Sequence, residues 1–236
     1  MTEKTEALVL RMSPFSKTSQ VVTWLTPDFG RLVTINKGAY RPKSPFLGQC
    51  DLYYTCDLVF YERDRNGVHI AKECSPLETR PLFRTDWRAA ACASYLSDLL
   101  CHVSLQGSSQ HELYELATSA VELLCSTPGE KQRLLFWFEI RLMHLLGVSP
   151  QLQNCTSCAT PILPSQSVSF SARSGGALCE NCAPGRNKDS IGVRRDVLAI
   201  LTAWQADASP RTAQITHCSK TQLAALGHLL DVFIKY

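Results

Sequence analysis

Four cysteines have the most defined chemistry in this chain. Two residues lie between Cys155 and Cys158, two between Cys179 and Cys182, and twenty between the pairs. Two intervening residues let a tight turn aim both sulfurs at one point. Two such turns supply the four thiolates of a tetrahedral zinc site. That site has no open coordination position, so one zinc ion here is expected to be structural rather than catalytic. Between the pairs, Val168 and Phe170 alternate with serines, Ser174-Gly175-Gly176 turns, and Ala177-Leu178 returns, which predicts a small hairpin. A redox pair is disfavoured because no βαβ context surrounds either motif. A zinc deaminase is excluded: it needs H-x-E and P-C-x-x-C, whereas Cys155 follows Asn154 and His111-Glu112 lacks the spacer. Arg173, Arg186 and Lys188 are read as offsetting the negative charge of a four-thiolate site. The other seven cysteines (50, 56, 74, 92, 101, 125, 218) are read as small buried apolar residues.

A second chemistry lies near the amino end. In Lys37-Gly38-Ala39-Tyr40-Arg41-Pro42-Lys43-Ser44, three cations alternate with an aromatic and with backbone-shaping residues. Single-stranded nucleic acid is held by this combination, cations tracking phosphates while flat side chains stack on bases. Lys37, Arg41 and Lys43 are expected at phosphates and Tyr40 at a base, with Arg31 and Lys17 added from the same basic stretch. Trp24 is expected in the core rather than at the ligand. Residues 1–48 hold seven Lys or Arg against three Asp or Glu, whereas residues 49–150 hold nine against thirteen. A polyanion would therefore meet the N-terminal part, although a solvated basic surface has the same signature. No P-loop, G-x-S-x-G or H-E-x-x-H is present, and the six histidines are scattered, so no enzymatic activity is expected.

The elements that position these groups follow from periodicity. Alternating and β-branched runs predict five strands in the first 80 residues: around 7–12, 19–26, 32–37, 51–62 and 68–71. Pro27-Asp28-Phe29-Gly30 and Arg65-Asn66-Gly67 are turn signals, and the basic loop joins the third and fourth strands. Five strands with one long loop suit a small OB-fold barrel; a sandwich needs more. From Asp86 the period becomes helical. Asp86 is a cap for a helix to about Val103. Ser109 with Glu112 is a capping box for a second, Thr127-Pro128-Gly129-Glu130 starts a third that stops at Gly147, and helices follow at about 194–205 and 221–234, the last boxed by Ser219 and Gln222.

The expectation is thus an α+β protein. An N-terminal five-stranded OB-fold DNA-binding domain occupies 1–80, and an α-helical domain occupies 81–236 with a four-cysteine zinc-binding hairpin inserted at 150–190. The 236 residues are 45% apolar and 19% charged, ordinary globular composition. No apolar stretch is long enough for a membrane span, and the charged start is not a signal peptide, so the expected location is the cytoplasm, with thiols reduced.

Three stretches carry a family likeness. Asp28-Phe29-Gly30-Arg31-Leu32 followed by the basic loop resembles a D-x-G-R…K-G-x-R-x-x-K-S signature, departing from it at Tyr40. Phe138-Glu139-Ile140-Arg141-Leu142 through Gly147-Val148-Ser149-Pro150 is similar to an F-E-x-R-L…L-G-x-x-P helix end. Ser169-Phe170-Ser171 through Gly175-Gly176-Ala177-Leu178-Cys179 is similar to a zinc hairpin. Their order resembles the bacterial recombination mediators called RecO. That resemblance implies a non-enzymatic DNA repair protein that binds single- and double-stranded DNA and anneals complementary strands. It implies action with RecR, and indirectly with RecA, which is loaded onto strands covered by single-strand-binding protein. The acidic C-terminal tail of that protein is expected on the helical region, with Arg133 and Arg141 as candidates to receive it. A zinc-ribbon and OB-fold module binding RNA or protein in transcription or translation is the alternative, and a nuclease is third.

Overall fold

The longest strand bends, and the bend closes the N-terminal sheet. In the computed structural model, which describes residues 1–63, 67–126, 131–163, 167–183 and 190–236, β1 (Thr2–Pro14) carries a bulge between Val9 and Arg11. Its first half pairs antiparallel with β4 (Thr55–Tyr61) and its second half with β2 (Gln20–Thr26). A bulge increases local twist, which is how one strand serves two neighbours. β2 continues into β3 (Gly30–Asn36), β4 into β5 (Val68–Glu78), and parallel pairing of β3 with β5 seals a barrel of order β1-β2-β3-β5-β4. This is the expected five-stranded barrel within an α+β chain. Arg65 and Asn66 of the predicted hairpin lie outside the described residues.

The barrel is filled by Ala7, Val9, Val22, Trp24, Leu32, Cys56, Leu58, Phe60, Ala71 and Cys74, with Phe29 edge-on to Phe60 at 5.3 Å between ring centres. Trp24 is fully buried, in the core as expected. Two helices pack with the barrel: α1 (Trp87–Val103), capped by Asp86, which accepts from the amides of Arg88 and Ala89, and α2 (His111–Ser126). The linker between them is stitched to the β2–β3 turn: the amides of Arg31, Gly107 and Gln110 donate to the carbonyls of Leu105, Phe29 and Pro27 at 2.7, 3.0 and 2.8 Å. The expected Ser109 capping box is absent. The Ser109 hydroxyl donates to the Pro27 carbonyl instead, because this linker follows the hairpin rather than a free helix start.

By packing, the chain divides into two compact units, Met1–Lys131 and Gln132–Tyr236, with α1 and α2 in the first. The second unit contains most of α3 (Lys131–Leu145), a sheet of β6 (Val168–Ser171), β7 (Gly176–Cys179) and β8 (Ile191–Val193), and α4 (Arg195–Ala206), α5 (Pro210–Ile215) and α6 (Lys220–Ile234). Residues 127–130, the expected start of α3, lie outside the described residues. Its end is as predicted: Gly147 has φ 74° and Val148 donates back to Met143 at 2.9 Å. The capping box of Ser219 and Gln222 forms on α6. β8 and α5 have no counterpart among the predicted elements. Among the described residues no helix is long and apolar enough to cross a membrane.

Candidate metal centre and nucleic-acid interface

The hairpin of β6 and β7 brings the two cysteine pairs together. Segment 151–156 is sewn to it: the Gln151 amide donates to Gly175, and the amides of Ala177 and Thr156 donate to Gln151 and Ala177, all within 2.8–2.9 Å. Gly176 permits this approach, since a β-carbon there would sit 2.1 Å from the Gln151 carbonyl oxygen. Each cysteine pair then turns on itself. The Cys155 amide donates to Thr160 and the Ala159 amide to Cys155, with Ala159 left-handed at φ 59°, while the Cys182 amide donates to Cys179 at 3.0 Å.

The four Sγ atoms all lie within 4.8 Å of one another, and Cys158 and Cys179 are 3.7 Å apart. A zinc–sulfur bond of about 2.3 Å implies tetrahedral edges of about 3.8 Å, so the donors fit one ion with small adjustments. Burial pushes the Cys155 thiol up, but hydrogen bonds from the backbone at Cys179, Cys158 and Ser157 outweigh it and bring the group down to about 6. A hydrogen bond from the Thr160 hydroxyl likewise lowers Cys158. Cys182 is pushed up to about 12 by its hydrogen bond with Cys179, as the last proton in a crowded set of thiols must be. Thiolate is the form that binds metal, and this cluster could hold a metal ion. Arg173 is exposed; Arg186 and Lys188 lie outside the described residues.

At the barrel, residues 37–54 run between β3 and β4 as consecutive turns. Arg41 donates its amide to Gly38, and Ser44 to Arg41, at 3.0 Å each. Ala39, Phe46 and Tyr54 anchor the loop in the barrel core, with Cys50 packed partly buried against it. Two more bonds hold it against the β1–β2 turn: the Tyr40 amide to the Thr18 carbonyl at 3.1 Å, and the Gly38 amide to Ser19 Oγ at 3.1 Å. Lys17, in that turn, is thereby a neighbour of the loop. Lys17, Lys37, Arg41 and Lys43 are exposed, Tyr40 is 51% exposed, and none of the four cations is in an ion pair among the described residues.

Arg31 differs from this group. It is half-buried in β3, and its guanidinium donates to the Cys101 carbonyl at the end of α1. Arg133 and Arg141 are likewise half-buried on α3 and donate at 2.8 Å to the carbonyls of Thr216 and Gln205, at the ends of α5 and α4. Sequence reasoning missed the anchors Ala39 and Phe46 and the acceptors at Thr18 and Ser19. Their apolar side chains were the available signal for the first pair; nothing local marks the second.

Known proteins match along the chain. The domain family described as Recombination protein O N terminal matches residues 1–80, and Recombination protein O C terminal matches residues 84–236. A DNA repair protein RecO of Syntrophus aciditrophicus is 33% identical over 99% of this chain and 93% of its own length. One from Rhodopirellula baltica is 34% identical over 77% of this chain and 67% of its own length, and one from Alkaliphilus metalliredigens is 29% identical over 85% and 78%.

Proposed function

Because the chain belongs to the RecO family of DNA repair proteins, we propose that it is a non-enzymatic recombination mediator whose barrel, residues 1–80, binds single- and double-stranded DNA. The observation that carries this reading is the set of exposed cations Lys17, Lys37, Arg41 and Lys43, in no ion pair among the described residues, on the loop that carries the half-exposed Tyr40 and on the neighbouring turn to which that loop is tied. A loop backbone already tied in place loses little entropy when its cations meet phosphates, and the gain is the release of condensed counterions. Strands lying along this surface have their mutual repulsion screened, so complementary strands anneal with no bond made or broken and no nucleotide consumed. Nothing in the loop is suited to reading base edges, so binding is indifferent to sequence.

The helical region, 81–236, carries the protein–protein work: with RecR, with the acidic C-terminal tail of single-strand-binding protein, and through them the loading of RecA in the cytoplasm. Arg133 and Arg141 remain the tail candidates. Each would share with the tail carboxylates a guanidinium already bonded to a carbonyl. The four cysteines hold one structural zinc ion.

Replacing Lys37, Arg41 and Lys43 with Ala tests the interface. We expect weaker binding to every oligonucleotide and a salt dependence flatter by about 0.7 log unit per lost single-strand contact. An unchanged slope in a filter-binding titration would remove the loop from the site. Purified protein should also anneal complementary oligonucleotides without ATP, and preference for structured RNA over single-stranded DNA would favour the transcription or translation alternative.

A further inference from the structure

Two of the barrel's cysteines converge on one carbonyl, and a third follows that carbonyl in the chain. The thiols of Cys56 in β4 and Cys74 in β5 lie 3.6 and 3.5 Å from the oxygen of Gln49. Cys50 is the next residue in the chain, packs partly buried against the core cluster that contains the other two, and hydrogen-bonds to Cys74. The DNA-contact reading uses none of them.

We propose that Cys50 and Cys74 form a dithiol that hydrogen peroxide converts to an intramolecular disulfide. Cys56 is the lesser partner. In the β4–β5 ladder Cys56 faces Pro76 and Cys74 faces Leu58, so the two are diagonal neighbours. Diagonal positions stand about 7–8 Å apart, beyond the usual disulfide reach of about 4.4–6.8 Å between α-carbons. Cys50 sits in the turn-rich loop, outside any strand register, and is the only one of the three not fully buried.

The local chemistry favours the same pair. Hydrogen bonds from Cys50 and then Cys56 bring Cys74 down to about 5, while its two partners are pushed up, chiefly by those same bonds to Cys74 and then by burial. Of the three thiols Cys74 is the one most ready to give up its proton, and the thiolate it forms is the nucleophile. Its sulfur attacks one peroxide oxygen; the S–O bond forms as the O–O bond breaks, and the departing hydroxide takes up the proton Cys74 had released, giving water. The Cys50 sulfur then attacks the Cys74 sulfenic acid; the S–S bond forms, the S–O bond breaks, and hydroxide leaves with the Cys50 proton as a second water. Two thiols are oxidised and one peroxide is reduced to two waters. The bond would tie the C-terminal leg of the basic loop to β5.

The test uses the full chain, titrated with hydrogen peroxide, its remaining thiols blocked with N-ethylmaleimide and its peptides mapped by mass spectrometry. Chymotryptic cleavage after Tyr53 or Tyr54 separates Cys50 from Cys56. The expected product is a dithiothreitol-sensitive link between the Cys50 and Cys74 peptides, at doses that leave Cys92 and Cys218 alkylated. In Cys50→Ser, with its fold checked by circular dichroism, the link should vanish and dimedone should trap Cys74 as the sulfenic acid. A wild-type map with Cys50 and Cys74 both alkylated after Cys92 and Cys218 have oxidised, or with Cys56 linked to Cys74, overturns the proposal whether or not the variant folds.

Discussion

The indole N–H of Trp24 has one partner, the Thr34 hydroxyl at 2.9 Å, which in turn donates to Asn36 Oδ1 at 2.8 Å. All three residues are fully buried, so each polar atom depends on the next. Thr34→Val keeps the volume but strands the indole proton and should cost about 1–3 kcal/mol, read as a lower urea midpoint. Gly30 is constrained differently: its φ is 62°, and a β-carbon would sit 2.3 Å from the Leu105 carbonyl oxygen. At this scale, too, the tail-binding reading of α3 is separable from a structural one. Burial lowers the Arg141 guanidinium, and its bond to Gln205 satisfies a carbonyl in the last turn of α4. Arg141→Ala should therefore lower the melting temperature by scanning calorimetry even with no partner present, whereas a residue that served only the tail would leave it unchanged.

Helix and strand ends explain which elements were readable in advance. Asp86 has an isolated cap's signature, and its carboxylate accepts from two amides, as such caps do. Asp86→Ala should cost about 1 kcal/mol by denaturant titration. Ser109 has the same signature three residues before Glu112, yet its hydroxyl is taken by Pro27, more than eighty positions away, a partner no local pattern can reveal. β5 was legible only as far as Ala71; it runs on to Glu78 because β4 offers it a full antiparallel ladder. On that strand His69 packs edge-on to Phe60, and its Nδ1 accepts from the Arg63 amide at 3.1 Å. Burial lowers its affinity for a proton below the ordinary 6.5, opposed by Glu62. The unfolded chain thus takes up that proton more readily. The His69 contribution to stability is fully present above pH 6.5 and is lost as pH falls toward the lower folded value. Thermal melts should show this loss in the wild type and its reduction in His69→Gln.

For the chain as a whole, the four-cysteine cluster is the element whose loss should propagate furthest. It closes the segment 151–182 around one point, and metal binding to such a site is in effect folding free energy. Elemental analysis should find about one zinc per chain, and chelation or Cys155→Ser should lower the transition of the unit Gln132–Tyr236. A metal-free wild type of equal stability would count against zinc. The cysteine spacing, the basic loop, the five strands and most helix limits were legible in the chain itself, because metal geometry, turn chemistry and hydrophobic period act over a few residues. The closing β3–β5 pairing, the third strand of the small sheet, the capping duty of Arg133 and Arg141, and the meeting of Cys50 with Cys74 were decided by tertiary structure alone. Each depends on a partner distant in sequence, and residue type does not say which distant carbonyl or thiol the fold will bring within reach.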